Sequence, residues 1–209
     1  MATRSLVDNP GTGRDGVSVP PVGWRFVDGE IGPWSHHRSA LLALARVRFA
    51  FLLERPGCRL LVADEPAMTR HSYVMGDIGI DLDFDWRDYA TSIMVCRITL
   101  DGEPPAGYLV NAGRQVRFHL SRVLPRQGRP PKLKRFKDTQ EYLSDSFQLS
   151  MTSLEVDASR LRESIDQVIE VARQLFADAS TRQLEPAMSF PQRTYVQVVP
   201  PPTLAAPSG

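Results

Sequence analysis

The chain of 209 residues carries 25 Lys and Arg against 24 Asp and Glu, a formal net charge of +1, and 42% of its residues are hydrophobic. This composition excludes a collagen-like, coiled-coil or wholly disordered chain, and the length suffices to bury one hydrophobic core. Of the basic residues 22 are Arg, which is typical of GC-rich coding sequence and suggests a bacterial or mobile-element origin.

Proline and glycine are concentrated near both ends of the sequence, where apolar residues are few. This predicts a disordered N-terminal tail over residues 1–22 and a Pro-rich C-terminal tail over residues 181–209, around a single domain of residues 23–180. The alternating, β-rich segment 193–199 inside the second tail predicts an edge strand or a docking peptide. No signal sequence or membrane-spanning stretch is recognisable, so we expect a cytoplasmic protein that does not bind membranes.

Two helices are predicted from the spacing of apolar residues. The first covers residues 35–54, with Ser35 as its N-cap and Pro56-Gly57 as its stop signal. The second covers residues 158–179, with Asp157 as its N-cap and an apolar stripe that begins at Leu161. Each helix is expected to pack an apolar face against the rest of the domain.

Between these helices the pattern changes to the two-residue period of β-strands. The β-rich runs are residues 59–63, 72–86, 91–100, 106–110, 114–123 and 147–156. Asp101-Gly102 and Asn111-Ala112-Gly113 separate consecutive runs and are typical of hairpin turns. We therefore predict an α+β fold, an antiparallel β-meander sheet with two main helices packed against one face.

The run 72–86 contains an acidic row, in which Asp81, Asp83 and Asp85 alternate with apolar residues. In a strand the three carboxylates project from the same face, where they repel one another unless water or a cation screens them. The simplest interpretation is the solvated face of an antiparallel strand. The alternative is a metal site formed by Asp81 and Asp83.

The tetrad Asp81-Leu82-Asp83-Phe84 resembles the alternating acidic signature of the nucleotidyltransferase superfamily. The resemblance implies a metal-dependent enzyme in which Asp81 and Asp83 hold Mg²⁺ for attack on a nucleotide phosphate. The sequence departs from that family because Met75-Gly76-Asp77 stands immediately before the strand, where the family has a Gly-Ser turn farther upstream. This gives an alternative function, and Mg²⁺ is a cofactor only under it.

A basic segment, residues 114–137, contains nine basic residues and no acidic one. Its basic residues are Arg114, Arg117, Arg122, Arg126, Arg129, Lys132, Lys134, Arg135 and Lys137. Prolines in the predicted loop 124–137 favour an extended backbone, and dense cations release counterions when they meet phosphates. The segment predicts contact with DNA, RNA or a nucleoprotein complex; a solvated loop and an acidic protein partner are the alternatives.

Gly128-Arg129-Pro130, with basic residues on both sides, resembles the AT-hook, a short motif that binds the minor groove of A·T-rich DNA. The resemblance implies that Arg129 enters the groove, where the negative potential is enhanced. Gln127 stands where that family prefers arginine.

The sequence has no nucleophile elbow, Walker loop, dinucleotide-binding glycine pattern, His-Glu-x-x-His or zinc spacing. Cys58 and Cys96, in separate apolar runs, are expected to be small buried hydrophobes. We therefore expect a protein that works by binding rather than catalysis, either to nucleic acid or, as a further alternative, as a protein–protein interaction module. The neutral total charge conceals a strong asymmetry, because seven acids oppose two arginines over residues 77–103 and ten acids oppose four arginines over residues 138–185. A polyanion partner is thus expected on one side of the molecule.

Overall fold

The computed structural model of the protein describes residues 35–111, 113–124, 139–180 and 192–198. It contains a six-stranded antiparallel sheet with helices packed against it, which confirms the predicted α+β class. The predicted N-terminal tail, most of the predicted C-terminal tail and nearly all of the basic loop lie outside the described residues.

Eight strands and three helices are described. The helices are α1 (Ser35–Phe49), continued by one 3-10 turn (Ala50–Leu52), α2 (Leu120–Val123) and α3 (Thr139–Ser180). The strands are β1 (Arg59–Glu65), β2 (Met68–Met75), β3 (Ile78–Asp85), β4 (Ala90–Arg97), β5 (Val110–Asn111), β6 (Arg114–Gln115), β7 (Arg117–His119) and β8 (Val196–Val198). In the described ranges no helix is both long and apolar enough to cross a membrane.

The strand order in the large sheet is β7-β4-β3-β2-β1-β8. Strands β1 to β4 form the predicted meander, and β7 closes one edge by pairing with β4. Strand β8 pairs with β1 at the other edge, which confirms the edge strand predicted near the C-terminus. Strands β5 and β6 form a separate hairpin at the predicted Asn111-Ala112-Gly113 turn.

Helix α1 confirms the first predicted helix, with a tighter last turn. Leu41, Ala45 and Phe49 are buried at intervals of four residues, and the 3-10 turn then buries Phe51 and Leu52. This spacing places all three α-helical residues on one face. The predicted helical end at residue 54 is therefore replaced by a 3-10 turn that stops at Leu52.

The helical segment α3 is kinked at Ser164, where the backbone angles are not helical, and it begins much earlier in the sequence than predicted. The strand predicted over residues 147–156 is therefore wrong. Ser146, Ser150 and Leu154 are buried and continue the stripe of Leu161 by helical spacing toward the N-terminus. The periodicity was not recognised because two of its buried positions are serines. The Ser150 hydroxyl can be buried because it donates a hydrogen bond to the Tyr89 carbonyl at 2.8 Å. The proposed N-cap Asp157 is also wrong, because it lies inside the helix.

Several predicted β-runs also change in the structure. The run 72–86 is two strands, β2 and β3, joined at Gly76-Asp77, where Gly76 takes the positive φ of 66° that a tight turn needs. The run 106–110 retains only the short strand β5, because most of it forms an irregular loop. The run 114–123 divides into β6, β7 and the helical turn α2.

The two faces of the large sheet differ in chemistry. On the helix face, Tyr73 contacts Phe49 of α1 with ring centroids 6.4 Å apart, and Phe118 contacts Phe176 of α3 at 4.7 Å. On the opposite face, which we call the polar face, Arg70, Asp81 and Asp83 are buried. The loop after β4 and the segment that holds β8 both contact the polar face, so the sheet is covered on both sides.

Gly79 marks the closest packing on the polar face. A Cβ atom built at Gly79 would lie 2.7 Å from Cys96 Sγ and 2.8 Å from Ile98 Cδ1. Gly79→Ala is therefore expected to lower the free energy of unfolding by about 1–3 kcal/mol through overpacking. Urea denaturation followed by circular dichroism measures this loss. Combined with Cys96→Ala, which removes the nearest atom, the total loss should be smaller than the sum of the two single losses; additive losses would contradict the packing explanation.

Candidate nucleic-acid interface

A buried ion pair joins two residues that the sequence assigned to different sites. Asp81 on β3 and Arg117 on β7 are both 0% exposed, and Arg117 Nε donates to Asp81 Oδ2 at 2.6 Å. Burial opposes ionisation of Asp81, but the positive charges of Arg117 and Arg70 lower the pKa of its carboxyl group. Asp81 is therefore a charged carboxylate inside the protein.

A second buried pair lies beside the first. Arg70 on β2 and Asp83 on β3 are register partners, and Arg70 Nη2 donates to Asp83 Oδ2 at 2.8 Å while its Nε donates to Oδ1. Burial alone would lower the pKa of Arg70, but the hydrogen bonds and charge of Asp83 raise it. The bidentate geometry satisfies both oxygens of the carboxylate.

The interpretation of the acidic row as a solvated face is therefore wrong for its first two members. Asp81 and Asp83 are buried because two arginines neutralise them, Arg70 from the neighbouring strand β2 and Arg117 from β7, on the far side of β4. Asp85 at the end of the row is partly exposed and pairs with Arg87. In the described part of the chain, no group of three or more His, Cys, Asp or Glu residues is arranged to hold a metal ion. The metal role of Asp81 and Asp83 stays a prediction, and a cation there would compete with two guanidinium groups.

Arg117 also holds the loop that follows β4. Its Nη2 donates to the Pro105 carbonyl at 2.5 Å and its Nη1 donates to the Gly107 carbonyl. Every nitrogen of this guanidinium thus has an acceptor inside the protein. Arg117 is buried, so we remove it from the residues that could contact a phosphate backbone.

The remaining described members of the basic segment are exposed. Arg114 lies on β6, and Arg122 lies on α2 with its guanidinium 4.7 Å from the centre of the Phe118 ring. Neither has an acidic partner among the described residues, although arginines elsewhere on the surface do, such as Arg48 with Glu155. The other six predicted contacts, Arg126, Arg129, Lys132, Lys134, Arg135 and Lys137, lie outside the described residues, as does the Gly128-Arg129-Pro130 motif.

Two exposed rings lie at the same sheet edge and were not predicted. Tyr108 is 47% exposed, and its ring centre lies 6.0 Å from that of His119, which is exposed on β7. Phe118, the neighbour of His119 on β7, is buried. Tyr108, Arg114, His119 and Arg122 are the exposed aromatic and basic residues on β7 and in the segments beside it, and we call them the β7 edge surface.

The cysteines are both free thiols. Cys96 is buried as predicted, whereas Cys58 is only half-buried. Burial raises the pKa of Cys58 to about 11 and raises that of Cys96 well above the usual value. Neither thiol is a ready nucleophile at neutral pH, because the reactive form is the thiolate.

Comparisons of the chain with models of protein families, with curated proteins and with solved structures gave no match. The function must therefore be argued from the chain's own residues.

The sequence contained partial signals for the features that were missed. Arg70 and Ser72 are two residues apart, as Asp81 and Asp83 are, so each pair projects from one face of a strand. Opposite charges on the same face of paired strands could have been expected to form ion pairs. Tyr108 lies within residues 104–137, a stretch of 34 residues without an acid. Its exposure could not be predicted, because it depends on how Arg117 holds the loop.

Proposed function

We propose that the protein binds nucleic acid through the phosphate backbone, using the β7 edge surface and the basic segment that continues from it. The observation that carries the proposal is the concentration of cations: besides the buried Arg117, residues 104–137 contain eight basic residues and no acidic one. Arg114 and Arg122 support it, because both are exposed and neither has an acidic partner among the described residues. Unpaired exposed cations attract phosphates and release counterions on binding.

The position of these cations also supports the proposal. Arg122 lies on α2, and Arg126 and Arg129 follow it in the sequence. The Arg122 side chain rests on the Phe118 ring, which leaves its N–H groups able to donate to phosphate oxygens. The sequence then contains six further basic residues between positions 126 and 137.

Removal of charge from the β7 edge surface tests the proposal. Arg114→Gln/Arg122→Gln is expected to weaken binding of a fluorescent oligonucleotide about tenfold at low salt, because two phosphate contacts are lost. Substitution of Arg126, Arg129, Lys132, Lys134 and Arg135 together is expected to weaken it further. Fluorescence anisotropy of a labelled oligonucleotide of mixed sequence measures both effects.

A matched control keeps the same change in net charge. Arg48→Gln/Arg87→Gln removes two exposed arginines that pair with Glu155 and Asp85. This variant should bind like the wild type if the interaction depends on the β7 edge surface. Equal weakening by both double variants would mean that only total charge matters, and the proposed surface would be wrong.

A further inference from the structure

The position of Tyr108 is fixed on both sides by hydrogen bonds to the neighbouring backbone. The Gly107 and Pro105 carbonyls accept from the buried guanidinium of Arg117. The Leu109 carbonyl accepts from Gln115 Nε2 at 3.1 Å and from the backbone N–H groups of residues 116 and 117 at 2.9 and 3.2 Å. The loop therefore has little conformational freedom at residue 108.

The ring of Tyr108 is exposed, although Arg117 and Gln115 hold the backbone on both sides of it by hydrogen bonds. Its exposed fraction is 47%, and its ring is packed against His119 with an interplanar angle of 72°. An aromatic ring that is already ordered loses little conformational entropy when a flat partner stacks on it. The buried pair of Asp81 and Arg117 thus positions a ring for contact with a ligand outside the protein.

The chemistry around Tyr108 indicates the ligand. Arg114 on β6 and Arg122 on α2 are exposed in the segments directly before and after β7, and residues 104–137 contain no acid that would repel a phosphate. An aromatic ring next to cations is the combination that binds single-stranded nucleic acid, because an unpaired base can stack while the backbone follows the charges. In a duplex the flat faces of the bases are already stacked, so Tyr108 could not use its ring in this way.

We propose that the protein prefers single-stranded over double-stranded nucleic acid and that Tyr108 is the stacking platform for an unpaired base. This inference rests on the proposed phosphate-binding function and specifies its ligand. His119 supports the edge of the Tyr108 ring, and the two arginines hold the phosphates on either side. Duplex A·T-rich DNA, the target that the AT-hook resemblance implies, is the competing ligand.

The test compares four labelled ligands, a single-stranded and a duplex oligonucleotide of mixed sequence and an A·T-rich pair of the same length, by fluorescence anisotropy at one salt concentration. We expect the wild type to bind each single strand more tightly than its duplex. Tyr108→Ala should weaken single-strand binding about tenfold, the size of one lost stacking contact, and leave duplex binding unchanged. Tyr108→Trp should retain the preference, because the ring is kept.

Leu100→Ala serves as the control, since Leu100 is a fully exposed apolar residue in the same inter-strand loop; it should bind like the wild type. Thermal unfolding of Tyr108→Ala checks that the fold is intact. The inference is overturned, and the proposed function stands, if the wild type binds single strands no more tightly than duplexes. The same follows if folded Tyr108→Ala binds single strands as tightly as the wild type does. If none of the four ligands binds, the proposed function itself fails.

Discussion

Replacement of Asp81 with asparagine is expected to lower the free energy of unfolding by about 3–5 kcal/mol, because it leaves the guanidinium of Arg117 buried without a counter-charge. Both side chains are 0% exposed, so water cannot compensate for the lost carboxylate. Urea denaturation at neutral pH, followed by circular dichroism, measures the loss. Asp85→Asn is the matched control on the same strand and face, and it should cost much less, because Asp85 and Arg87 are solvated.

The same pair gives a sharper test through a double-mutant cycle. Asp81→Asn combined with Arg117→Met removes both charges, so the double variant should lose less stability than the two single variants added together. Part of the Arg117 loss will remain, because the Pro105 and Gly107 carbonyls lose their donors. Strictly additive losses would show that the two side chains do not interact in the folded protein.

Acidification from pH 7 to pH 4 is expected to remove about 3 kcal/mol of stability through His71 alone. His71 is 1% exposed on the helix face, packed edge-on against Phe84 with the ring centres 5.4 Å apart. Burial and then the nearby positive charge of Arg46 lower its pKa to about 3 in the folded protein. The unfolded chain takes up this proton below a pH of about 6.5 and the folded protein does not, so stability falls as the pH falls through this window.

The pH effect is measured by urea denaturation of the wild type and of His71→Leu at several pH values between 7 and 4. The variant should lose about 3 kcal/mol less than the wild type over this range. The carboxylates of Asp77, Asp81 and Asp85 have lowered pKa values in the folded protein, so they also cost stability as the pH approaches 4, where the unfolded chain begins to take up their protons. This loss is common to the wild type and His71→Leu and cancels in the difference between them. His36→Gln, which removes an exposed histidine of α1, should retain the wild-type profile; identical profiles for wild type and His71→Leu would contradict the assignment.

The predicted fold class was correct because most elements carry a clear apolar period. Leu41, Ala45 and Phe49 in α1 and the stripe from Leu161 in α3 follow helical spacing. The turn at Gly76, which divides the predicted run 72–86 into two paired strands, was missed. The N-terminal half of α3 was missed because its buried face carries Ser146 and Ser150, which have no apolar signal. Their burial is possible only because other elements offer contacts, such as the Tyr89 carbonyl.

The candidate site was only partly predictable, for a reason of tertiary structure. Asp81 and Arg117 lie 36 residues apart, and a one-dimensional pattern contains no information that they meet inside the protein. Considered without its partner, Asp81 is a candidate metal ligand and Arg117 is a candidate phosphate contact. Their pairing removes Arg117 from the surface, fixes the loop beside it and thereby positions Tyr108, a residue that no motif distinguished.

The salt dependence of binding shows whether the protein holds nucleic acid through its phosphates. Dissociation constants of the wild type for a labelled single-stranded oligonucleotide would be measured by anisotropy across a series of NaCl concentrations. We predict that the logarithm of the association constant falls linearly with the logarithm of salt concentration, with a slope of about −3 or steeper, which corresponds to four or more neutralised phosphates. A slope near zero, or no binding at the lowest salt concentration, would show that the protein does not bind nucleic acid through its phosphates.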